Sequence, residues 1–277
     1  MSARQPPATA DEGKADDGAL PERAIQLAAD VTFSAHALAE QPPFCAQPLR
    51  DGELRLWLLR PEWQLLSKED AFARLSPFER KRAKCFPQPA IGKRFAVGRA
   101  VLRGILGGML GVAPQALELS DHESGRVTLG SPATAEPLEI AVAYAGIWIL
   151  IGVSTQPLGL ATAFSVGEAV DRDEQHRIRL ASVAHAAGTL SAAGYLSQPL
   201  EEHAHRVHTH DAGSWRVLDL PMPGRQCVAA LAAREMREVQ ASGWNTSVKL
   251  PPSAPAVSNT RAARHARDVE AGSGRGF

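Results

Sequence analysis

Cysteine is scarce. The three in 277 residues, Cys45, Cys85 and Cys227, stand far apart and exclude a disulfide framework. They read as single reduced thiols, with Cys85 and Cys227 as small core residues. Net charge is absent as well, with 30 basic and 30 acidic residues, so overall charge says nothing about partners and local excesses carry the information. Aromatic residues make up only 5%, which leaves core filling to aliphatic side chains, and 44% hydrophobic residues suffice for a sizeable core. No apolar run approaches the roughly 18–20 residues of a membrane span. The opening MSARQPPATADEGKADDG lacks the apolar centre of a signal peptide. A cytoplasmic protein with no membrane partner is the expectation.

The most informative absence is local. After Glu79 no acid occurs before Leu110, while Arg80, Lys81, Arg82, Lys84, Lys93, Arg94, Arg99 and Arg103 follow one another. This stretch also carries the clearest helix signals. Ser76 and Pro77 form an N-cap and a first helical position, and Glu79 stands where a capping box needs it. Pro87 and Pro89 end that helix. A second helix carries Phe95, Leu102, Ile105, Met109 and Leu110 as an apolar stripe and stops at Gly111. A cationic surface shaped to meet an anion is the direct reading.

The rest of the chain yields weaker signals. Residues 1–45 are expected to be disordered or weakly ordered, with a helix over Pro21 to Leu38. Leu54 to Leu59 reads as a strand, Trp63 to Arg74 as a short helix, and Leu117 to Ser120 as a short strand. Val127 to Pro137 reads as loop. Leu138 to Val153, broken at Ala145-Gly146 and followed by Leu158 to Ala161, predicts three strands. Arg172 to Gly194 predicts a helix, Ser214 to Leu220 a strand, and Cys227 to Arg237 a strand or helix. His203, His205, His208 and His210 match no standard zinc-finger spacing and read as a solvated loop. Gly104, Gly107 and Gly108 are expected to let a helix approach a sheet closely. Residues 239–277 read as a disordered tail with a basic bias; lacking interleaved aromatics, it is not a nucleic-acid binder.

The order of these features resembles the surfactin-type 4′-phosphopantetheinyl transferases. The features are a Trp-bearing strand at Leu56-Trp57, L-S-P-x-E-R-x-R-A from Leu75 to Ala83, K-R-F-x-x-G-R-x-x-L-R from Lys93 to Arg103, and G-V-x-P-x-x-L from Gly111 to Leu117. The resemblance implies an α+β fold of two similar halves, here 46–138 and 139–238, forming a pseudo-dimer. It implies coenzyme A and Mg²⁺ in the cleft between them, and an acyl or peptidyl carrier protein as partner. A carrier serine attacks the β-phosphate, phosphopantetheine moves to it, and 3′,5′-ADP leaves. By position the resemblance assigns coenzyme binding to Lys93, Arg94, Arg99 and, in place of a turn lysine, Arg126.

The remaining motifs depart from that pattern. The family's F-N-x-S-H-S-G falls on Ile140 to Gly146, where Ala141, Ala143, Tyr144 and Ala145 replace the polar residues. Its G-x-D-x-E falls on Gly159 to Ala163, so Ala161 and Ala163 stand where two metal-binding acids belong. Its W-x-x-K-E-A-x-x-K, counted back from Gly194, meets Val183, Ala186, Ala187, Gly188 and Ser191, and Leu180 to Tyr195 contains no acid. A hard dication needs oxygen ligands that alanine lacks. Glu168, Asp171 and Asp173 read as an exposed polar loop. Ala161 and Ala163 are expected to face the cleft opposite Arg94 and Arg99. The expectation is a catalytically impaired, transferase-like protein that binds coenzyme A or a carrier protein in fatty-acid, polyketide or nonribosomal-peptide type biosynthesis. The alternatives are an active, divergent Mg²⁺ transferase and a non-catalytic structural partner of a biosynthetic complex.

Overall fold

The computed structural model describes residues 23–62, 66–122, 126–131, 137–165, 171–189, 195–210, 213–223 and 226–244. The expectations for residues 1–22, for Glu168, for Gly194 and for the tail beyond 244 lie outside the described residues, whereas residues 239–242, expected within a disordered tail, form part of a strand inside the larger sheet.

Strands buried on both faces organise the molecule. In β3 (Glu53–Leu59) Leu54, Leu56 and Leu58 point to one side, with Trp57 and Leu59 to the other. β7 (Trp148–Ser154) pairs antiparallel with β3 and is buried along its whole length. Such strands need a covering layer on each side. They sit in the middle of an eight-stranded sheet. One flank holds β13 (Glu238–Ser242), β2 (Val31–His36) and β1 (Arg23–Ala28); the other holds β6 (Glu139–Ala145), β5 (Arg126–Ser131) and β4 (Glu118–Asp121). β13 lies parallel to both β2 and β3. A second, antiparallel sheet runs β8 (Leu158–Phe164), β12 (Cys227–Ala233), β11 (Gly213–Leu220), β10 (Ala204–Thr209) and β9 (Leu196–Pro199).

Three apolar layers join these parts. Leu102, Ile105 and Leu106 of α3 (Pro89–Leu110) pack on Trp57, Ile149 and Ile151 of the larger sheet. The other face of that sheet, with Leu56, Leu58, Ala141, Ala143 and Ala145, meets Leu160, Leu218 and Leu231 of the smaller one. Beyond it, α4 (Arg172–Ala187) lays Ile178, Val183 and Ala186 on Val217, Ala230 and Ala232. Each fully buried aliphatic side chain contributes roughly 1.5–3 kcal/mol. The result is an α+β sandwich, helix on sheet on sheet on helix. Two smaller helices, α1 (Lys68–Arg74) and α2 (Pro77–Cys85), lead into α3.

Several expectations need correction. Residues 23–36 form a β-hairpin, not a helix. Ile25, Leu27, Phe33 and Ala35 alternate with period two, and that alternation outweighs alanine's helix propensity. Residues 126–131 are strand β5 rather than loop, and the histidine segment is strand β10 rather than solvated loop. α4 stops at Ala187, because Gly188 adopts the left-handed cap with φ 71°. Gly188 therefore ends the helix instead of lying inside it. Cys85 is exposed, while Cys227 is buried. Gly104, Gly107 and Gly108 do not admit a sheet: Gly104 abuts the Arg74–Glu40 ion pair, Gly107 the backbone at Val112, and Gly108 the side chain of Gln41.

Candidate functional site

The site begins at the capping box of α2. The Ser76 hydroxyl accepts from the Glu79 amide at 3.2 Å, and Glu79 Oε2 accepts from the Ser76 amide at 2.8 Å. This reciprocal pair turns the Glu79 carboxylate inward, where it is 4% exposed. There Oε2 also accepts from Arg103 Nε at 2.8 Å, and Oε1 lies 3.7 Å from Arg99 Nε. Arg103 is otherwise engaged, since its Nη1 donates to the carbonyls of Pro114 (3.0 Å) and Leu117 (2.8 Å). Arg99 is not. Its Nη2 pairs with Asp121, but its buried Nη1 has no hydrogen-bond partner among the described residues. A buried guanidinium donor left unmade is costly, and a missing anion is one natural reason for it.

The surrounding residues extend this cationic chamber. Arg82 also pairs with Asp121, and its guanidinium lies 5.0 Å from the centre of the Phe95 ring. Arg94 lies 5.4 Å from the Tyr144 ring centre and donates to the carbonyl of Gly146. Gly146 (φ 55°) makes the β6–β7 turn and carries the Phe164 ring against its backbone. Gly98 lets Tyr144 reach α3, since a Cβ there would stand 3.0 Å from the phenol oxygen. Strand alternation aims Ile140, Val142 and Tyr144 at α3, and Ala141, Ala143 and Ala145 at the second sheet.

Three guanidinium groups (Arg82, Arg99 and Arg103) thus share two carboxylates, Glu79 and Asp121, while a fourth, Arg94, is held by the Gly146 carbonyl. Burial lowers the Arg99 pKa from its usual value, while Tyr144 and Glu79 pull the other way. Burial raises the Tyr144 phenol, against the opposing pull of Arg99, Arg94 and Arg82. Tyr144 is therefore a protonated hydrogen-bond donor at neutral pH, not a base. Guanidinium forks are the natural partners of an oxyanion.

Of the four residues assigned to coenzyme binding by position, the structure brings Arg94 and Arg99 together. Lys93 is exposed on the adjoining turn of α3. Arg126 lies elsewhere: its guanidinium pairs with Glu139, at the other end of β6 from Tyr144, and adjoins Gly188. The sequence reading missed the roles of Glu79 and Asp121 as ion-pair partners. For Glu79 the capping-box signal was available, since that motif dictates where the carboxylate points.

The residues at the metal positions do not fit Mg²⁺. Ala161 and Ala163 sit opposite Ala230 and Val228 on β12 and pack against the cluster beneath α4. They do not face the α3 cations as expected, because alternation along β8 gives that side to Thr162, whose hydroxyl donates to the Tyr144 carbonyl at 3.0 Å. Asp171 caps α4 by accepting from the Glu174 amide at 2.7 Å, and Asp173 is exposed in the first turn. Among the described residues, no three His, Cys, Asp or Glu side chains come together as metal ligands. His205 and His208 fall on opposite faces of β10: His205 lies buried 3.5 Å from Asp219, and His208 bonds Ser214 at 2.8 Å. The α4 side has its own polar pair, in which Arg179 grips Asp219 with two bonds of 2.8 and 2.6 Å.

No family model matches the chain. Over 98 residues it is 38% identical to the 4′-phosphopantetheinyl transferase HetI of Nostoc sp., a stretch covering 34% of the chain and 39% of that protein. The chain thus spans about two fifths of the length of the curated relative it matches.

Proposed function

We infer that this chain is a 4′-phosphopantetheinyl transferase-like protein that binds the phosphates of coenzyme A in the chamber between α2, α3 and the β6–β7 turn, with transfer to a carrier protein impaired. The carrying observation is the buried Arg99 guanidinium, whose Nη1 has no hydrogen-bond partner among the described residues, in a cluster where three guanidinium groups share two acids and Arg94 adds a fourth. The partial similarity to HetI supports the choice of coenzyme A over other anions. The expected halves, 46–138 and 139–238, remain part of this proposal, as does the carrier protein.

The residues divide the task as follows. Arg99 Nη1 and the Arg94 fork hold phosphate oxygens, Arg82 adds positive charge at the rim, and Tyr144 donates a hydrogen bond from the chamber wall. Deprotonating a carrier serine needs a base, and the protonated Tyr144 is none. A divalent cation would supply Lewis-acid stabilisation worth several kcal/mol, and Ala161 and Ala163 offer it no oxygen. Coenzyme binding therefore outlives transfer.

Titration calorimetry with coenzyme A, in EDTA and in Mg²⁺, tests the binding. Equal affinity in both is expected, with Arg94→Ala weakening it about tenfold, as loss of one charge-assisted contact implies. No binding in either buffer sinks the reading. The similarity to HetI favours a second reading, an active divergent transferase. Mass spectrometry of an apo carrier protein incubated with coenzyme A, Mg²⁺ and the chain decides between them. A phosphopantetheine adduct that vanishes in EDTA establishes the second.

A further inference from the structure

Glu79 anchors one side of α2 in the buried cation cluster, and the opposite side of this helix is open. Helical spacing places Phe78, Lys81 and Cys85 along one outward stripe with Lys84 at its edge. Phe78 is 70% exposed. The one acid of α2, Glu79, is buried on the other side, so the outward face carries only positive charge. Beside it Phe72 of α1 is 40% exposed, its ring centre 5.3 Å from the Arg80 guanidinium and 6.0 Å from Lys84 Nζ. An apolar spot ringed by cations is the composition of a recognition surface rather than a solvated face.

We propose that the outward face of α2 docks an acidic protein whose helical surface offers carboxylates to Lys81 and Lys84 and an apolar recess to Phe78. The proposal rests on the transferase-like reading, which makes that protein the carrier. Charge complementarity selects the occupant: a face with cations and no acid favours an acidic partner and repels a basic one. A lipid surface suits it less, since a nine-residue helix with one outward phenylalanine has no apolar stripe to bury. A nucleic acid suits it less, because Phe72 is already covered by cations and Phe78 alone is no stacking ladder.

Cys85 supplies the probe. It is exposed, whereas burial pushes the Cys45 and Cys227 thiols up to about 11, so a maleimide fluorophore selects it. The labelled full-length chain is titrated with a purified apo acyl carrier protein, and native mass spectrometry repeats the titration without label. A saturable signal is expected, and about 0.5 M salt should weaken it. Phe78→Ser should weaken docking about tenfold, and the pair Lys81→Glu and Lys84→Glu at least about tenfold. Coenzyme A affinity should stay unchanged in all variants. Equal docking by parent and variants overturns the proposal. So does a label that responds to phosphatidylglycerol vesicles or a single-stranded oligonucleotide but not to the carrier. Coenzyme binding without docking defeats this proposal alone, and docking without coenzyme binding defeats the functional reading alone.

Discussion

The two helix-on-sheet layers solve the same problem in different ways. Both α3 and α4 bury arginine against acid beside an apolar face. On the α4 side guanidinium and carboxylate balance: Arg179 and Asp219 match one to one, Gln175 adds a contact at 3.3 Å, and a leftover buried polar atom is an imidazole nitrogen, His205 Nε2, 3.5 Å from Asp219. Small residues then fill the space, with Gly159, Ala161 and Ala163 under Val183 and Ala186. On the α3 side the two groups do not balance, with more guanidinium groups than carboxylates and two Arg99 donors, Nε and Nη1, without a hydrogen-bond partner among the described residues. A layer that is only structural has no use for such an excess, because buried like charges repel. The difference separates a layer with an excess of cations, which the proposed function assigns to an anion, from one whose arginine and acid are matched.

The largest effect should come from Glu79→Gln. It preserves shape but removes the charge that Arg99 and Arg103 both face, and should cost about 4–5 kcal/mol, the upper end for breaking a buried pair. Urea denaturation measures this. Sulfate at high millimolar concentration should restore part of the loss, since a bound anion stabilises only the folded chamber. The corresponding change on the closed side, Asp219→Asn, should cost about 3 kcal/mol, because Arg179 keeps 15% of its side chain in water. Sulfate should not rescue it, and rescue of both variants alike would erase the contrast. Burial alone would raise the Asp219 pKa, but its bonds to Arg179 and His205 bring it below the usual 3.8. A lowered folded value means the carboxylate stabilises fully above 3.8 and loses that contribution as pH falls through the folded value. The gap between parent and Asp219→Asn should therefore be constant above pH 3.8 and narrow below it.

Gly159→Ala comes next. Its new methyl would overlap the Ser182 carbonyl and the Ala186 amide, both backbone, so α4 must shift from β8. The expected loss is about 1–3 kcal/mol, with coenzyme affinity unchanged because the chamber lies on the other layer. A matching loss of affinity would mean the two layers are coupled.

How much of this was legible in the sequence differs between the layers in the same way. α2 and α3 announce themselves, because capping box, prolines and an αL glycine are local chemistry that needs no partner. β3, β6, β7 and β8 were legible as short apolar runs between turn signals. β13 was not: its pairing with β2 and β3 joins residues about 200 positions apart, and EVQAS carries no strong β signal. The N-terminal hairpin was misjudged because alanine weighed more than the alternation of Ile25, Leu27, Phe33 and Ala35. Within the site, the cations were visible as a run without acids. Which of them face inward was not, because Asp121 lies far along the chain, just past the short strand expected over Leu117 to Ser120. That Arg126 leaves the cluster for Glu139 is likewise a matter of strand pairing, which composition does not encode.

The smallest expected effect on stability is the most discriminating. Arg82 pairs with Asp121, yet 42% of its side chain is exposed. Arg82→Ala should therefore cost less than about 1 kcal/mol, as exposed ion pairs do. Arg177→Ala on α4, which breaks an exposed pair with Glu174, should cost equally little. Pyrophosphate affinity separates the two. Arg82 lies close enough to act on the Tyr144 phenol together with Arg94 and Arg99, so its removal takes positive charge from the chamber and should weaken pyrophosphate several-fold, more at low salt than at high. Arg177→Ala should leave that affinity unchanged. If both arginines prove equally silent toward pyrophosphate, the excess of cations beside α3 is a solvated rim and the chamber has no ligand.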